Sequence, residues 1–213
     1  MIAGIDEAGK GCVIGPLVVA CVCCDEEGER RLKSIGVKDS KKLPHSKRIK
    51  LAEEIKSFAK VEVIKVSAKE LNKLMKSKTL NEILKECYIK LINGLKPSKV
   101  YIDCPDINPE RFSKNIKELT GIDVISEHKA DEKYAIVSAA SIIAKVEREK
   151  EIQKLKEIYG DFGSGYASDS KTREFLSRVI KAGKIPDIVR LKWKTIAKIS
   201  QLTLNDFSQA KGI

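Results

Sequence analysis

Two adjacent acidic residues, Asp6 and Glu7, stand between an apolar segment at 2–5 and a glycine-rich stretch. Asp103 likewise follows a short apolar segment, and Asp131 is placed to open a helix. Because Mg²⁺ prefers oxygen ligands, four such acids would form a divalent-cation site if the fold brought them together. Spacing leaves two alternatives open: paired acids are commonly solvated surface residues, and Asp131 would also serve as a helix N-cap.

Two further segments contain residues that are suited to contact a ligand. Gly9-Lys10-Gly11 places a basic residue between two glycines, where the backbone can approach a ligand closely. The alternative is an ordinary glycine turn. Tyr166 stands alone among the glycines and serines of 160–168, so its ring has little core to join.

Strands and helices alternate around these residues. The β-branched apolar run at 13–24 predicts a strand that follows the first one. Thr79 and Glu82 have the spacing of a capping box, which predicts the beginning of a helix, and 131–159 predicts one long helix. The alternation favours an α/β fold with a central mixed β-sheet flanked by helices and a small helical C-terminal region.

The length of 213 residues suits one main domain with an appendage. No apolar run approaches the roughly 20 residues of a membrane span, and the N-terminus lacks the pattern of a secretory signal. The six cysteines lack paired zinc-site spacing, which favours small reduced core residues. We therefore expect a cytoplasmic, monomeric, globular protein that does not enter a membrane.

Basic residues outnumber acidic residues by 41 to 30, which gives a formal net charge of +11. The excess is concentrated at 170–200, a segment that contains nine Lys or Arg residues and only two acidic residues. Such a surplus predicts a polyanionic partner, with nucleic acid as the first candidate. A lysine-rich solvated surface, as in heat-adapted proteins, is the alternative.

Several blocks along the chain closely resemble the signatures of type 2 ribonucleases H, in particular archaeal ribonuclease HII. They occur in the family's order, and the resemblance covers nearly the whole chain. The blocks are Gly4-Ile5-Asp6-Glu7-Ala8-Gly9-Lys10-Gly11, Ile14-Gly15-Pro16-Leu17, Asp39-Ser40-Lys41-Lys42-Leu43, Tyr101-Ile102-Asp103, His128-Lys129-Ala130-Asp131, 137–146, Gly163-Ser164-Gly165-Tyr166 and Ser168-Asp169.

The resemblance implies a metal-dependent endonuclease whose four acids hold two Mg²⁺ or Mn²⁺ ions with substrate bound. The implied catalytic and metal-binding residues are Asp6, Glu7, Asp103 and Asp131, with Asp6 as the bridging ligand. Such an enzyme hydrolyses the RNA strand of RNA-DNA hybrids and nicks duplex DNA 5′ of a single embedded ribonucleotide. The products carry 3′-hydroxyl and 5′-phosphate ends, and the implied role is ribonucleotide removal in replication and repair.

The Gly9-Lys10-Gly11 turn resembles the family's glycine-flanked basic turn, whose backbone approaches the ribose 2′-hydroxyl that distinguishes RNA from DNA. Lys10 departs from the usual arginine at the centre of this turn. A lysine lacks the bidentate guanidinium fork, so phosphate clamping would be weakened while main-chain recognition would be unaffected.

Tyr166 resembles the tyrosine that stacks on the sugar following the ribonucleotide, although Ala167 stands where proline is usual. The resemblance also suggests phosphate contacts by Ser40, Lys41 and Lys145. Solvated lysines are the alternative for the two basic residues.

The C-terminal segment 201–207 fits much of the Q-x-x-aliphatic-x-x-aromatic peptide by which replication enzymes dock on a sliding clamp. Its matching anchors are Gln201, Leu204 and Phe207, whereas Ser208 stands where a second aromatic residue is usual. A chance match to so short a pattern is the alternative.

We expect three regions: a ribonuclease H-like catalytic domain over 1–168, a basic helical region over 169–200 and a flexible tail over 201–213. Two other functions compete with the leading one. A ribonuclease HIII-like enzyme would prefer longer RNA stretches and usually carries an additional N-terminal domain. A non-catalytic nucleic-acid or clamp-binding protein would need no acids at the four positions.

Overall fold

The computed structural model describes residues 1–37, 44–197 and 199. Five strands and eight helices have their bounds within this part of the chain, and residues 194–197 and 199 are helical as well. The strands are β1 (Ile2–Ala8), β2 (Leu17–Cys24), β3 (Lys60–Val66), β4 (Lys99–Asp103) and β5 (Asp123–Glu127). The helices are α1 (Glu26–Ser34), α2 (His45–Phe58), α3 (Ala68–Leu74), α4 (Leu80–Leu95), α5 (Pro109–Thr120), α6 (Ala130–Lys133), α7 (Ala135–Tyr159) and α8 (Ser170–Lys181).

The strands form one mixed sheet in the order β3-β2-β1-β4-β5. The central strand β1 runs antiparallel to β2 and parallel to β4, and β4 runs parallel to β5. Every residue of β2 is buried, which explains why its sequence is a continuous apolar run without alternation. The predicted α/β fold with a central mixed sheet is confirmed.

The chain divides into two compact units that interleave along the sequence. The first contains 1–8, 18–65 and 78–148, and it carries the sheet. Its core packs apolar residues of β1 and β2 against α2 and the first half of α7. The predicted regions 1–168, 169–200 and 201–213 stay predictions.

The second unit contains 9–17, 66–77 and 149–213, of which the structure describes the residues up to 197 together with 199. Its own small core contains apolar residues of the segment after β1, the end of α7, the segment between α7 and α8, α8 itself and the segment after α8. The buried members are Val13, Ile14, Ile152, Phe162, Phe175, Leu176, Ile188, Val189 and Ile196.

Gly4 lets β1 and α7 approach each other at backbone distance within the first unit. A Cβ atom at this position would collide with the backbone carbonyl group of Ile136 and with the amide nitrogen of Val137. Glycine is therefore required here by the space available to the strand, because no side chain fits between it and the helix.

The structure agrees with one predicted helix start and differs from another. The capping box of Thr79 and Glu82 is present, and the helix that it predicts, α4, begins at the next residue. The single long helix predicted over 131–159 is wrong at its start, because Tyr134 adopts an extended conformation between α6 and α7. The Tyr134 ring packs on that of Tyr101, with centroids 4.5 Å apart, and this contact competes with a continuous helix.

All six cysteines are free thiols, and five of them are buried. Burial raises the pKa of the Cys87 thiol to about 11, so it stays protonated near neutral pH. Within the described residues, no helix combines the length and apolar character needed to cross a bilayer.

Candidate active site

The four predicted acids all lie in the first unit, on neighbouring elements. Asp6 and Glu7 are on β1, Asp103 ends β4, and Asp131 lies in the first turn of α6. Ile5 of β1 pairs with Ile102 of the parallel strand β4. Asp6 and Asp103 are the next residues on these two strands, so the sheet register carries both acids to one level.

Asp103 connects the end of β4 to the beginning of α6. Its Oδ1 accepts a hydrogen bond of 2.9 Å from the amide of Ala130, the residue before Asp131. The N-cap of α6 is Lys129, in the left-handed conformation with φ 57°, so the alternative that Asp131 is the helix cap is wrong. Asp131 instead lies inside the single turn of this four-residue helix.

The Asp6 carboxyl is almost fully buried, with 5% of the residue exposed. Burial first, and repulsion by the Glu7 and Asp103 carboxylates in addition, raises its pKa from 3.8 to about 8. A hydrogen bond from Ser141 opposes the rise, as does one of 2.7 Å from the Glu7 amide. This repulsion indicates that Glu7 and Asp103 both lie within electrostatic range of Asp6.

Glu7 is held by a tyrosine that sequence reasoning missed. The Tyr88 hydroxyl donates a 2.5 Å hydrogen bond to Glu7 Oε2 from the fully buried face of α4. Burial and the nearby Glu7 carboxylate raise the pKa of Tyr88 well above its ordinary value, so the hydroxyl remains a donor. Tyr88 lies among apolar residues at helical spacing, and nothing in that pattern separates it from an ordinary core aromatic residue.

The donor set of the four acids suits a hard cation, since it consists of carboxyl oxygens and includes the buried residues Asp6 and Asp131. Across the described ranges, no group of three or more His, Cys, Asp or Glu side chains is gathered closely enough to hold a metal ion by itself. Such an arrangement fits Mg²⁺ or Mn²⁺, which commonly bind through few carboxylates and complete their coordination with water and substrate phosphates.

Lys145 is half-buried on α7, one helical turn beyond Ser141. Residues four apart share a helix face, so Lys145 is on the same face as the serine that bonds Asp6. The other two candidates for phosphate contact, Ser40 and Lys41, lie outside the described residues. The clamp-peptide candidates Gln201, Leu204 and Phe207 also lie outside them.

The glycine-flanked turn belongs to the second unit, and its two glycines differ. Gly9 has φ 85°, a left-handed conformation that favours glycine. Gly11 is exposed, and a Cβ atom added to it would meet nothing within 4 Å. The fold therefore explains the first glycine and leaves the second unexplained.

The second unit brings Tyr166 to the same turn. Cys12, the residue after Gly11, forms an isolated antiparallel bridge with Tyr166, whose residue surface is 42% exposed. The Gly165 carbonyl accepts a hydrogen bond of 2.8 Å from the Val13 amide. Two candidate substrate-binding segments that are more than 150 positions apart in the chain are thus joined by backbone pairing.

Comparison with known proteins identifies the family. The sequence profile described as Ribonuclease HII matches residues 3–196. Ribonuclease HII of Archaeoglobus fulgidus is 60% identical over 207 residues, which cover 97% of this chain and 100% of that protein. In the solved PCNA:RNase HII complex from Archaeoglobus fulgidus, a chain with 60% identity superposes with a TM-score of 0.91, covering 97% of this chain and 100% of that one. A solved Bst-RNase HIII in complex with Mn²⁺ has a TM-score of 0.79 at 22% identity, covers 96% of this chain and 70% of that one, and shares the fold. By the profile match and the 60% identity, this chain belongs to the ribonuclease HII family.

Proposed function

We propose that the chain hydrolyses the RNA strand of RNA-DNA hybrids and nicks duplex DNA on the 5′ side of a single embedded ribonucleotide. Its products carry 3′-hydroxyl and 5′-phosphate ends. Family membership supports a type 2 ribonuclease H endonuclease. The observation that carries the reaction chemistry is the register of β1 and β4, which brings the buried Asp6 carboxyl, next to Glu7, level with Asp103.

The residues that hold Mg²⁺ or Mn²⁺ in this proposal are Asp6, Glu7, Asp103 and Asp131. When bound, the ions supply Lewis-acid activation of the attacking water and stabilisation of the departing 3′ oxygen. The chain itself orients the ligands. Tyr88 fixes one oxygen of Glu7, and the Ala130 amide fixes one oxygen of Asp103. Such outer partners set the geometry and basicity of metal ligands.

The Gly9-Lys10-Gly11 turn contacts the ribose 2′-hydroxyl in this proposal. The support is Gly11, whose missing side chain is required by neither the available space nor a left-handed φ. A ligand that approaches the backbone closely would explain why this position has no side chain although the fold does not require glycine there. Tyr166 stacks on a sugar in this proposal, and the support is its exposed side chain and its backbone bridge to Cys12, the residue after the turn.

Phosphate contacts are proposed for Lys145 and for Ser40 and Lys41. The formal charge of +11 supports a polyanionic substrate. The half-buried position of Lys145, one turn from Ser141, supports its contact with the strand that is cut.

A second proposal concerns the tail, in which Gln201, Leu204 and Phe207 dock on a sliding clamp. It is supported by the peptide pattern and by the 60% identical Archaeoglobus fulgidus relative solved as a PCNA complex. Capture of the full chain on an immobilised archaeal clamp tests it. Phe207→Ala should reduce capture at least about tenfold, because the anchor of such a plug contributes on the order of 2 kcal/mol. Undiminished capture would make the pattern a chance match.

The reaction is tested with a duplex that contains one ribonucleotide and, beside it, a uniform RNA-DNA hybrid, with the product ends mapped. We expect Mg²⁺-dependent nicking 5′ of the single ribonucleotide. A requirement for several consecutive ribonucleotides would instead favour the ribonuclease HIII-like alternative.

Asp103→Asn provides the matched variant for this assay. It should lower nicking by at least about a thousandfold, since removing a catalytic metal ligand costs several kcal/mol of transition-state stabilisation. It should spare binding to a labelled duplex and weaken Mn²⁺ binding measured by calorimetry. Full residual activity would contradict the metal assignment, and undetectable nicking by the parent chain would favour a non-catalytic binding protein.

A further inference from the structure

Arg190 is a fully buried arginine in the second unit, with none of its surface exposed. A guanidinium cannot be neutralised by deprotonation in a protein, so its burial is costly unless polar groups surround it. The Nε and Nη1 atoms of Arg190 meet this requirement with main-chain carbonyl groups of the glycine-flanked turn and of the segment that follows it.

The Arg190 side chain donates hydrogen bonds to three carbonyl oxygens. Its Nη1 donates to Gly9 O at 2.6 Å and, more weakly, to Lys10 O at 3.4 Å. Its Nε donates to Gly15 O at 2.8 Å. The Arg190 backbone amide adds a bond of 2.9 Å to Val13 O. One residue thus holds both ends of the segment between Gly9 and Gly15.

The guanidinium is itself fixed by its surroundings. It stacks over the Trp193 ring at 4.8 Å from the centroid, an arrangement that a planar guanidinium favours and an ammonium group does not reproduce. Two fork nitrogens at fixed angles then determine where the bonded carbonyl oxygens point.

The orientation of these carbonyls determines the orientation of the amides behind them. In a trans peptide, the N–H of the next residue points opposite to the C=O, and the described chain contains no cis peptide bond. When Gly9 O and Lys10 O point at the buried guanidinium, the N–H groups of Lys10 and Gly11 point away from it. Gly11 lies at the exposed end of this arrangement, with open space where a side chain would be.

We propose that Arg190 is a positioning residue for ribose recognition: it holds the Gly9 and Lys10 carbonyls and thereby directs the Lys10 and Gly11 amides toward the substrate 2′-hydroxyl. The inference rests on the proposed contact between this turn and the ribose. Its consequence is that discrimination between ribose and deoxyribose depends on a residue that itself contacts no substrate. Lys10 donates through its main chain in this arrangement, so its departure from arginine does not affect ribose discrimination.

The test is a binding ratio measured by fluorescence anisotropy in EDTA, where no cleavage occurs. Two probes are used: a labelled DNA duplex with one ribonucleotide and the same duplex made entirely of DNA. The full-length parent should bind the first probe more tightly. Gly11→Ala should reduce this preference by blocking the exposed backbone, since its Cβ atom meets no protein atom.

Arg190→Lys keeps the charge and removes the planar fork. We expect it to lower the ribose preference by about fivefold, the effect of one misdirected hydrogen bond, while affinity for the all-DNA duplex stays within about twofold. A merely structural role would weaken binding to both probes equally. Arg190→Gln, which retains a planar amide donor, is the second variant if Arg190→Lys does not fold.

Arg178→Lys is the matched control, because Arg178 also lies over an aromatic ring of this unit, at 5.4 Å from the Phe175 centroid. It should leave both affinities unchanged. A parent without ribose preference, or Gly11→Ala with full preference, would overturn the proposed ribose contact itself. Full preference in folded Arg190 variants, with Gly11→Ala impaired, would overturn the role of Arg190 alone.

Discussion

The buried Asp6 carboxyl makes the stability of the folded chain depend on pH. It is buried on β1, and repulsion from Glu7 and Asp103 adds to the burial in raising its pKa to about 8. In the unfolded chain the same carboxyl titrates near 3.8. The folded state therefore binds more protons than the unfolded state between these two values, and stability falls as pH rises through that window.

Asp6→Asn removes this pH-dependent cost. In EDTA at pH 9, we expect the variant to unfold with a free energy at least ~1 kcal/mol higher than the parent, because its amide needs no proton to remain neutral. The difference should shrink as pH falls toward 4, where the parent carboxyl is protonated in the folded state. Urea unfolding from pH 4 to pH 9 measures this.

Mn²⁺ provides the control for the Asp6 variant. At pH 8 the ion should stabilise the parent, whose carboxylates it neutralises, and should stabilise Asp6→Asn much less. A stability difference that is constant across the pH range would contradict the raised pKa of Asp6.

At the scale of elements, the site depends on the close approach of β1 and α7. Gly4, two residues before Asp6 on β1, leaves room for the backbone of Ile136 on α7. Ser141, five residues after Ile136 on the helix, makes the hydrogen bond that partly offsets the burial of Asp6. The packing of one strand against one helix therefore determines both the burial of the carboxylate and its hydrogen-bond partner.

Gly4→Ala should separate these two elements. We expect a loss of at least ~2 kcal/mol in the free energy of unfolding, because the added methyl group collides with rigid backbone and no flexible side chain can yield. Gly11→Ala is the same substitution in open space and should change stability by less than about 0.5 kcal/mol. Chemical unfolding of both variants makes the comparison, and equal stabilities would refute the proposed contact.

At the scale of the whole molecule, the predicted catalytic acids and the main basic stretch lie in different units of the chain. The four acids all belong to the first unit, whereas the basic stretch 170–200 belongs to the second. The excess of 41 basic over 30 acidic residues predicts attraction to any nucleic-acid backbone, whatever its sugar. The affinity for a nucleic-acid duplex should therefore depend strongly on salt concentration, whereas the discrimination between ribose and deoxyribose should not.

Salt separates the two properties. If about five phosphates are neutralised, affinity for an all-DNA duplex should fall on the order of 500-fold between 50 and 200 mM salt, through counterion release. The ratio of affinities for ribonucleotide-containing and all-DNA duplexes should stay nearly constant, because the 2′-hydroxyl contact carries no net charge. Anisotropy titrations at several salt concentrations measure both. An affinity that is independent of salt would argue against phosphate contacts.

The sequence by itself determined the family, the α/β class and the beginning of α4. These properties are encoded locally, in motif blocks, in the β-branched run of β2 and in the capping box at Thr79. Membership in ribonuclease HII and the central mixed sheet are confirmed. The catalytic assignments of Asp6, Glu7, Asp103 and Asp131 stay predictions, although the fold places all four on adjoining elements.

Only the tertiary structure decided which side chains form hydrogen bonds with the predicted site residues. The Tyr88 hydroxyl meets Glu7 across 81 positions, and Arg190 Nη1 meets the Gly9 carbonyl across 181. Neither residue differs in its local pattern from a core tyrosine or a surface arginine. Tyr134, the extended residue between α6 and α7, likewise packs on Tyr101 of the distant strand β4. Local periodicity reflects the energy of neighbouring residues, whereas burial, raised pKa values and buried hydrogen bonds depend on distant residues that meet only when the chain folds.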